Sequence, residues 1–375
     1  RLFRMADRSE IKLDNSLFPN PWSLDFQRWS DDGTRFWMLY NERGHQRLRL
    51  LEVRVADGAV RAVIDESSET FIHYSSDGKM ELRWLTGEKV LWASERSGWN
   101  HLYLYERDGR MIRPITWGPW AVKGLNGVNQ ETGEVFFTAS MRDGRELPIE
   151  QQLFRASLRR TGTPVAVTPG GGWWGASMNR TGTAYVGNYT DLNTPMQSAL
   201  YRADGTFVRW IEQNKLDETH PIYPYLSRRG ETTFGTMESH GETLVWQMTT
   251  PPGFDPSKQY PVVMQVYGGP GAGAVRRSWQ GSTNQLLTEA GYIVFRLDNR
   301  GEGDRSAAFK QALYLRMGQP EIEDQVLAAN YLRSLPYVDD SRIAMMGWSY
   351  GGFMSLMALT EPDMGLTSAI AGAPP

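Results

Sequence analysis

Cysteine is absent from the 375 residues. That excludes disulfides, thiolate zinc sites and a cysteine nucleophile, and it leaves the cellular compartment open. Long apolar runs are absent too. Nothing approaches the ~18 residues of a membrane-spanning helix, so no membrane span is expected. Charge of one sign is not in excess: the net charge is −3, which gives no electrostatic footing for nucleic acid or an anionic membrane surface. The opening "RLFRMADRSE" has no initiator Met and no signal-like apolar core, and reads as an internal start with sequence missing upstream. No cluster of His, Cys and carboxylates has metal-ligand spacing, so no metal is expected, and covalent chemistry on a hydroxyl needs no cofactor. Histidine is scarce: His45, His73, His101, His220 and His240 are all there are.

What the chain does have is length enough for two domains and a high content of Trp (14) and Tyr (16). Aromatics at that level suit β-rich packing, and most of them are expected as core filler between strands. From residue 20 to about 235 a loose repeat recurs, in which a polar turn with Gly precedes a strand-like run. The turns are "SDDG", "SSDG", "NQETG", "NRTG" and "SRRG", with their glycines at 33, 78, 133, 182 and 230. The runs after them are "TRFWMLY", "KVLWASE", "EVFFTAS", "TAYVGNY" and "TTFGTME". Further strand-and-turn pairs bring each unit to about four strands, which is the pattern of propeller blades. Four units are clear and a fifth is partial; a β-sandwich is the alternative. "TPGGGWWG" reads as a mobile loop between blades.

Near residue 240 the pattern changes. "PVVMQVY", "GYIVFRLDNRG" and "SRIAMMG" are apolar on both faces, as buried parallel strands are. Ile322, Val326, Ala329 and Leu332 share one face of a helix over 319–335. Strands alternating with helices give an α/β sheet. The expected architecture is a partial β-propeller of four-stranded blades over 1–238. An incomplete α/β-hydrolase domain with a parallel sheet follows over 239–375.

"GWSYG", residues 347–351, fits G-x-S-x-G. A buried strand enters it and the amphipathic "FMSLMAL" leaves it. That context predicts a nucleophile elbow, in which a tight strand-to-helix turn lifts the Ser349 hydroxyl above the sheet. The backbone N–H of Tyr350 is then one oxyanion donor. Tyr267, in "VYGGPG" at the end of a strand, is placed either to offer its phenol as the second donor or simply to cap the strand. An activated Ser needs a base. All five histidines precede residue 244, and in α/β-hydrolases the acid and the His follow the Ser. His240 sits in a "SHGET" hairpin turn and is not expected to serve. "LDNRGEGDR" has a Gly-rich turn but lacks the Lys-Ser/Thr of a phosphate loop, and reads as a hydrolase loop.

These stretches resemble the prolyl oligopeptidase family of serine peptidases, and within it the dipeptidyl peptidase IV branch. "GWSYGGFMSLMAL", "EIEDQVLAANYLRSLPYVDDSRIAMMGWSYGG", "YPVVMQVYGGPG", "FRLDNRGEGDR" and "ASERSGWNHLYLYERDG" carry the likeness. The resemblance implies an eight-bladed propeller over an α/β-hydrolase domain. It also implies release of N-terminal dipeptides with Pro or Ala second. Residue by residue it implies Ser349 as nucleophile, Tyr267 as the hydroxyl of the oxyanion hole, and Tyr350 as backbone donor and border of the proline pocket. Trp348 falls beside that pocket, with packing as its more ordinary role. A peptide substrate follows. The family's Asp and His fall beyond Pro375. Its Glu-Glu pair for the substrate amino group has no counterpart, since no Glu-Glu dipeptide occurs here. The expectation is a chain truncated at both ends and inactive alone. An oligopeptidase, acylaminoacyl-peptidase, esterase or non-catalytic binding protein on the same fold is the alternative. A homodimer of the full-length protein stays open, and a bacterial periplasm or cytoplasm is the expected setting.

Overall fold

The computed structural model describes residues 1–72, 82–303 and 305–375; His73, the 75–78 turn and Asp304 lie outside the described residues. The chain forms two compact units, one of residues 1–97 and 101–116 and the other of 98–100 and 117–375.

The first unit holds two four-stranded antiparallel sheets. One is built from Pro21–Trp29, Arg35–Glu42, Arg47–Arg54 and Val60–Ser67, the other from Leu82–Trp84, Val90–Ser94, His101–Tyr105 and Met111–Pro114. The alternation of strand side chains puts aromatic and branched residues of both sheets into one core, with Trp37, Leu50, Val90 and Trp92 fully buried. The Trp37 and Trp84 rings are 4.9 Å apart.

The second unit begins with two more such sheets: Val122–Asn129, Glu134–Ala139, Gln152–Ser157 and Val165–Ala166, then Trp173–Met178, Ala184–Thr190, Gln197–Arg202 and Phe207–Glu212. Phe136, Leu153 and Tyr185 form their shared core. Four separate four-stranded antiparallel sheets in chain order are propeller blades, not the two faces of a sandwich. The glycines of "TPGGGWWG" connect the third sheet to the fourth, and its tryptophans begin a strand.

The fifth repeat is not a blade. "TTFGTME" belongs to a six-stranded sheet made of β1 (Thr232–Ser239), β2 (Glu242–Thr249), β3 (Tyr260–Val266), β4 (Ile293–Asp298), β5 (Val338–Trp348) and β6 (Ser368–Gly372), in the order β1-β2-β4-β3-β5-β6. A polar turn followed by an alternating strand looks the same whether the strand joins a blade or opens a new sheet. We propose placing the domain division near Gly230 rather than at 238, since β1 and β2 form one hairpin. The sheet is mixed, not wholly parallel: β2 is antiparallel to β1 and β4, and β4, β3, β5 and β6 are parallel. His240 occupies the β1–β2 turn with φ 49°.

Helices α1 (Ser282–Glu289), α2 (Ala307–Gln311), α3 (Pro320–Ser334) and α4 (Tyr350–Thr360) connect these strands. The apolar face expected of α3 packs on the sheet: Ile322, Ala329 and Leu332 are buried and Val326 is partly so. With Val262, Met264, Ile293, Phe295, Ile343, Met345 and Met354 they form the main core of this sheet. Among the described residues no helix is long and apolar enough to cross a membrane.

Candidate active site

Parallel strands bring their carboxyl ends to one edge of a sheet, and loops leaving that edge make the crevice where open α/β sheets bind ligands. Here three adjacent strands, β4, β3 and β5, end in the segments beginning Asn299, Tyr267 and Ser349. Val266 pairs with Gly347 across β3 and β5, so Tyr267 and Ser349 leave neighbouring strands at nearly the same level.

Ser349 has φ 56° and ψ −122°, between the end of β5 and the start of α4. A residue with a Cβ in that region stores on the order of 1–3 kcal/mol of strain and stays there only when its surroundings fix it. Ser349 N–H donates to the Gly372 carbonyl of β6 at 2.9 Å. Its own carbonyl accepts from Gly352 and Phe353 at 2.7 and 3.1 Å. The flanking glycines are steric requirements. A Cβ on Gly347 would lie 2.3 Å from the Gly351 carbonyl oxygen, and one on Gly351 would lie 2.3 Å from that of Val266. The side chain of Ser349 stands exposed. Tyr350 opens α4, where a backbone N–H has no carbonyl of the preceding turn to bond and faces outward.

Tyr267 and Tyr350 face each other with ring centroids 6.2 Å apart. Gly269 is wedged between them: a Cβ there would lie 2.8 Å from Tyr267 Cε1 and 2.9 Å from Tyr350 Cγ. Tyr267 is 37 % exposed. The half-buried Tyr350 also meets Phe353 edge-on at 5.2 Å, and its hydroxyl donates to Glu321 Oε1 at 2.5 Å. Burial first, and then the bond to Glu321, push the Tyr350 phenol well above the ordinary tyrosine range. Trp348 is not brought into this group by any ring contact. It is 71 % exposed, and its indole lies against Gly372, where a Cβ would come within 2.1 Å of the ring.

Neither described histidine of the second unit hydrogen-bonds Ser349. His240 Nε2 is 3.4 Å from Glu323 Oε2, and His220 Nε2 is 2.9 Å from Asn214 Oδ1. In the first unit His45 meets Asn41 and His101 meets Thr116. Among its described residues the second unit therefore presents an exposed hydroxyl, a helix N-terminus and a phenol, with His220 and His240 both engaged elsewhere.

Three carboxyl groups around these residues were not picked out in the sequence. Glu321 is fully buried; its Oε2 accepts the Gly318 N–H at 2.9 Å. Asp298 and Glu302 sit together beneath the Tyr267 loop, both buried. "EIEDQ" and "LDNRGEGDR" are legible as segments, but the bonds that reach Tyr350 and Gly268 are tertiary and leave no local pattern.

Blades preceding a mixed sheet with a strained serine between strand and helix define the class as an α/β-hydrolase with propeller blades. The dipeptidyl peptidase IV N-terminal region matches residues 2–196, and the prolyl oligopeptidase family matches residues 278–374. A probable dipeptidyl peptidase 4 of Aspergillus flavus is 31 % identical over 288 residues, covering 75 % of this chain. The dipeptidyl peptidase 4 of Trichophyton tonsurans is 32 % identical over 293 residues, again covering 75 % of this chain. The crystal structure of Porphyromonas gingivalis dipeptidyl peptidase 4 superposes with a TM-score of 0.86 at 26 % identity, over 99 % of this chain and 51 % of that one. The chain belongs to the prolyl oligopeptidase family of serine peptidases, in its dipeptidyl peptidase IV branch. It spans 36 % of the length of both curated relatives.

Proposed function

We propose that the protein carrying this chain is a serine peptidase that releases N-terminal dipeptides, with Pro or Ala preferred at the second position. The observation that carries this reading is the positive φ of Ser349 between β5 and α4, beside Tyr267 and Tyr350. The names of the relatives support the dipeptide unit.

In this reading the Ser349 Oγ attacks the scissile carbonyl. The carbonyl oxygen, taking on negative charge, is met by the Tyr350 N–H and the Tyr267 hydroxyl, each worth roughly 3 kcal/mol as an oxyanion donor. Expulsion of the amine leaves an ester on Ser349, which water then hydrolyses. In this reading the Tyr350 ring, held by Glu321 and Phe353, borders the side chain of the substrate's second residue. The base is a histidine supplied by sequence outside this chain, so the 375 residues alone are inactive.

The test is a substrate panel on the product of the complete reading frame. Dipeptide release from free-amino Xaa-Pro and Xaa-Ala anilides, abolished by Ser349→Ala, is the expected result. Equal or better cleavage of amino-blocked peptides, or of esters alone, would replace this reading with an oligopeptidase, acylaminoacyl-peptidase or esterase. Triad-like hydrolysis by the isolated chain, lost in Ser349→Ala, would overturn the predicted inactivity.

A further inference from the structure

A phenol acts as an oxyanion donor only if it is aimed. Tyr267 is 37 % exposed, so side-chain packing alone holds it weakly. Its direction depends on the backbone turn that follows it. Gly268 has φ 75°, and the loop from 267 to 275 contains four glycines, at 268, 269, 271 and 273. Such a loop has many accessible conformations unless something pins it.

Pinning groups come from the segment after β4. Gly268 N–H donates to Glu302 Oε1 at 2.6 Å, and the other oxygen of Glu302 accepts the Asn299 N–H at 3.2 Å. Asn299 Nδ2 returns a bond to the Gly268 carbonyl at 3.2 Å, and Gln325 holds the Asn299 side chain at 2.9 Å. The far end of the loop is tied by Asp298, whose Oδ1 accepts from Ala274 and Val275 at 2.7 and 2.9 Å. Glu302 is 1 % exposed and Asp298 7 %. The two carboxyl groups are buried as neighbours, and burial raises both above the ordinary carboxyl range. Two buried carboxylates in contact could not both be charged at modest cost. Burial first, and then the charge of Asp298, push Glu302 well above the ordinary carboxyl range.

We propose that Glu302 is a positioning residue for the oxyanion site: through Gly268, and braced by Asp298, it sets the direction of the Tyr267 hydroxyl. The proposal rests on the peptidase reading above. It differs from a purely structural role in what it makes depend on what. Glu302 acts on turnover only through Tyr267.

Glu302→Gln keeps an oxygen for the Gly268 N–H and gives up only the acceptor for the Asn299 N–H. Glu302→Ala removes both. In the complete enzyme, with an Xaa-Pro anilide as substrate, Glu302→Ala is expected to lower kcat about tenfold or more while KM changes less than about twofold. Glu302→Gln should recover most of that loss. In a Tyr267→Phe background Glu302→Ala should cost less than about a further twofold, because the group it aims is gone. Full multiplication of the two losses, or unchanged kcat in Glu302→Ala despite a lower Tm, overturns the proposal. Wild-type turnover that survives Ser349→Ala would instead be a failure of the peptidase reading. A second measurement needs no turnover: amide hydrogen exchange at Gly268 should be slow in wild type and Glu302→Gln, and at least about tenfold faster in Glu302→Ala. Equal protection in all three also overturns the proposal.

Discussion

Tyr350→Phe removes one oxygen and keeps the ring, so it isolates the bond between the phenol and Glu321. Glu321 is fully buried in the first turn of α3, a position where the helix dipole favours negative charge. Its two oxygens accept from the Tyr350 hydroxyl at 2.5 Å and the Gly318 N–H at 2.9 Å. Without the hydroxyl, Oε1 loses the donor supplied by Tyr350, in a site that water does not reach. Hydrogen bonds to charged groups contribute about 1.5–3 kcal/mol, and the ring leaves no cavity, so the loss should be about 2 kcal/mol. Urea unfolding of the chain, followed by tryptophan fluorescence, reads this directly. Glu321→Gln should cost a similar amount, since its amide would turn a donor toward one of the two existing donors. The double variant should fall short of the sum by about 1 kcal/mol or more. A Tyr350→Phe change below about 0.5 kcal/mol, or strict additivity with Glu321→Gln, would refute the claim that this bond fixes the ring. An alkaline spectroscopic titration gives an independent check. Because the Tyr350 phenol is raised, Tyr350→Phe should leave the tyrosine absorbance step near pH 10 unchanged.

The Asp298–Glu302 pair makes stability pH-dependent. Both are raised by burial above their ordinary values, with Lys123 and Arg296 the nearby cations acting on Asp298. The folded pair therefore holds protons that the unfolded state releases, so the pair's contribution to stability is greatest below the ordinary carboxyl range and falls as pH rises through the raised value of Glu302. Urea midpoints taken against pH should fall more steeply across that window in wild type than in Glu302→Gln; parallel slopes would contradict a raised Glu302. Gly351→Ala places a Cβ 2.3 Å from a backbone oxygen that no rotamer can move, so it should yield little soluble folded chain. Recovery of native circular dichroism and midpoint in that variant would contradict the tight elbow.

Much of this was legible because it is local. The strand-to-helix switch around Ser349 shows in seven or eight residues, and the two flanking glycines mark where backbone must approach backbone. The helix over 319–335 lies at Pro320–Ser334, since its apolar spacing is set by the sheet it covers. The hairpin turn at His240 announced itself by composition. The fifth blade failed because β1 carries the same turn and alternation as a blade strand; only its partner, β2, tells which sheet it joins. The antiparallel direction of β2 was hidden for the same reason. Glu302, Asp298 and Glu321 escaped because the partners that give them meaning, Gly268, the Ala274–Val275 backbone and Tyr350, are distant in sequence. Tyr267 was recognisable as a candidate, but what aims it was not.

The most direct test of the account is covalent labelling of the complete protein with a fluorophosphonate, which phosphonylates an activated serine and expels fluoride. The expected result is one adduct, on the peptide containing Ser349, with dipeptide release lost in proportion to labelling. Turnover that persists after Ser349 is fully modified, or inactivation by an adduct on another residue, would contradict it.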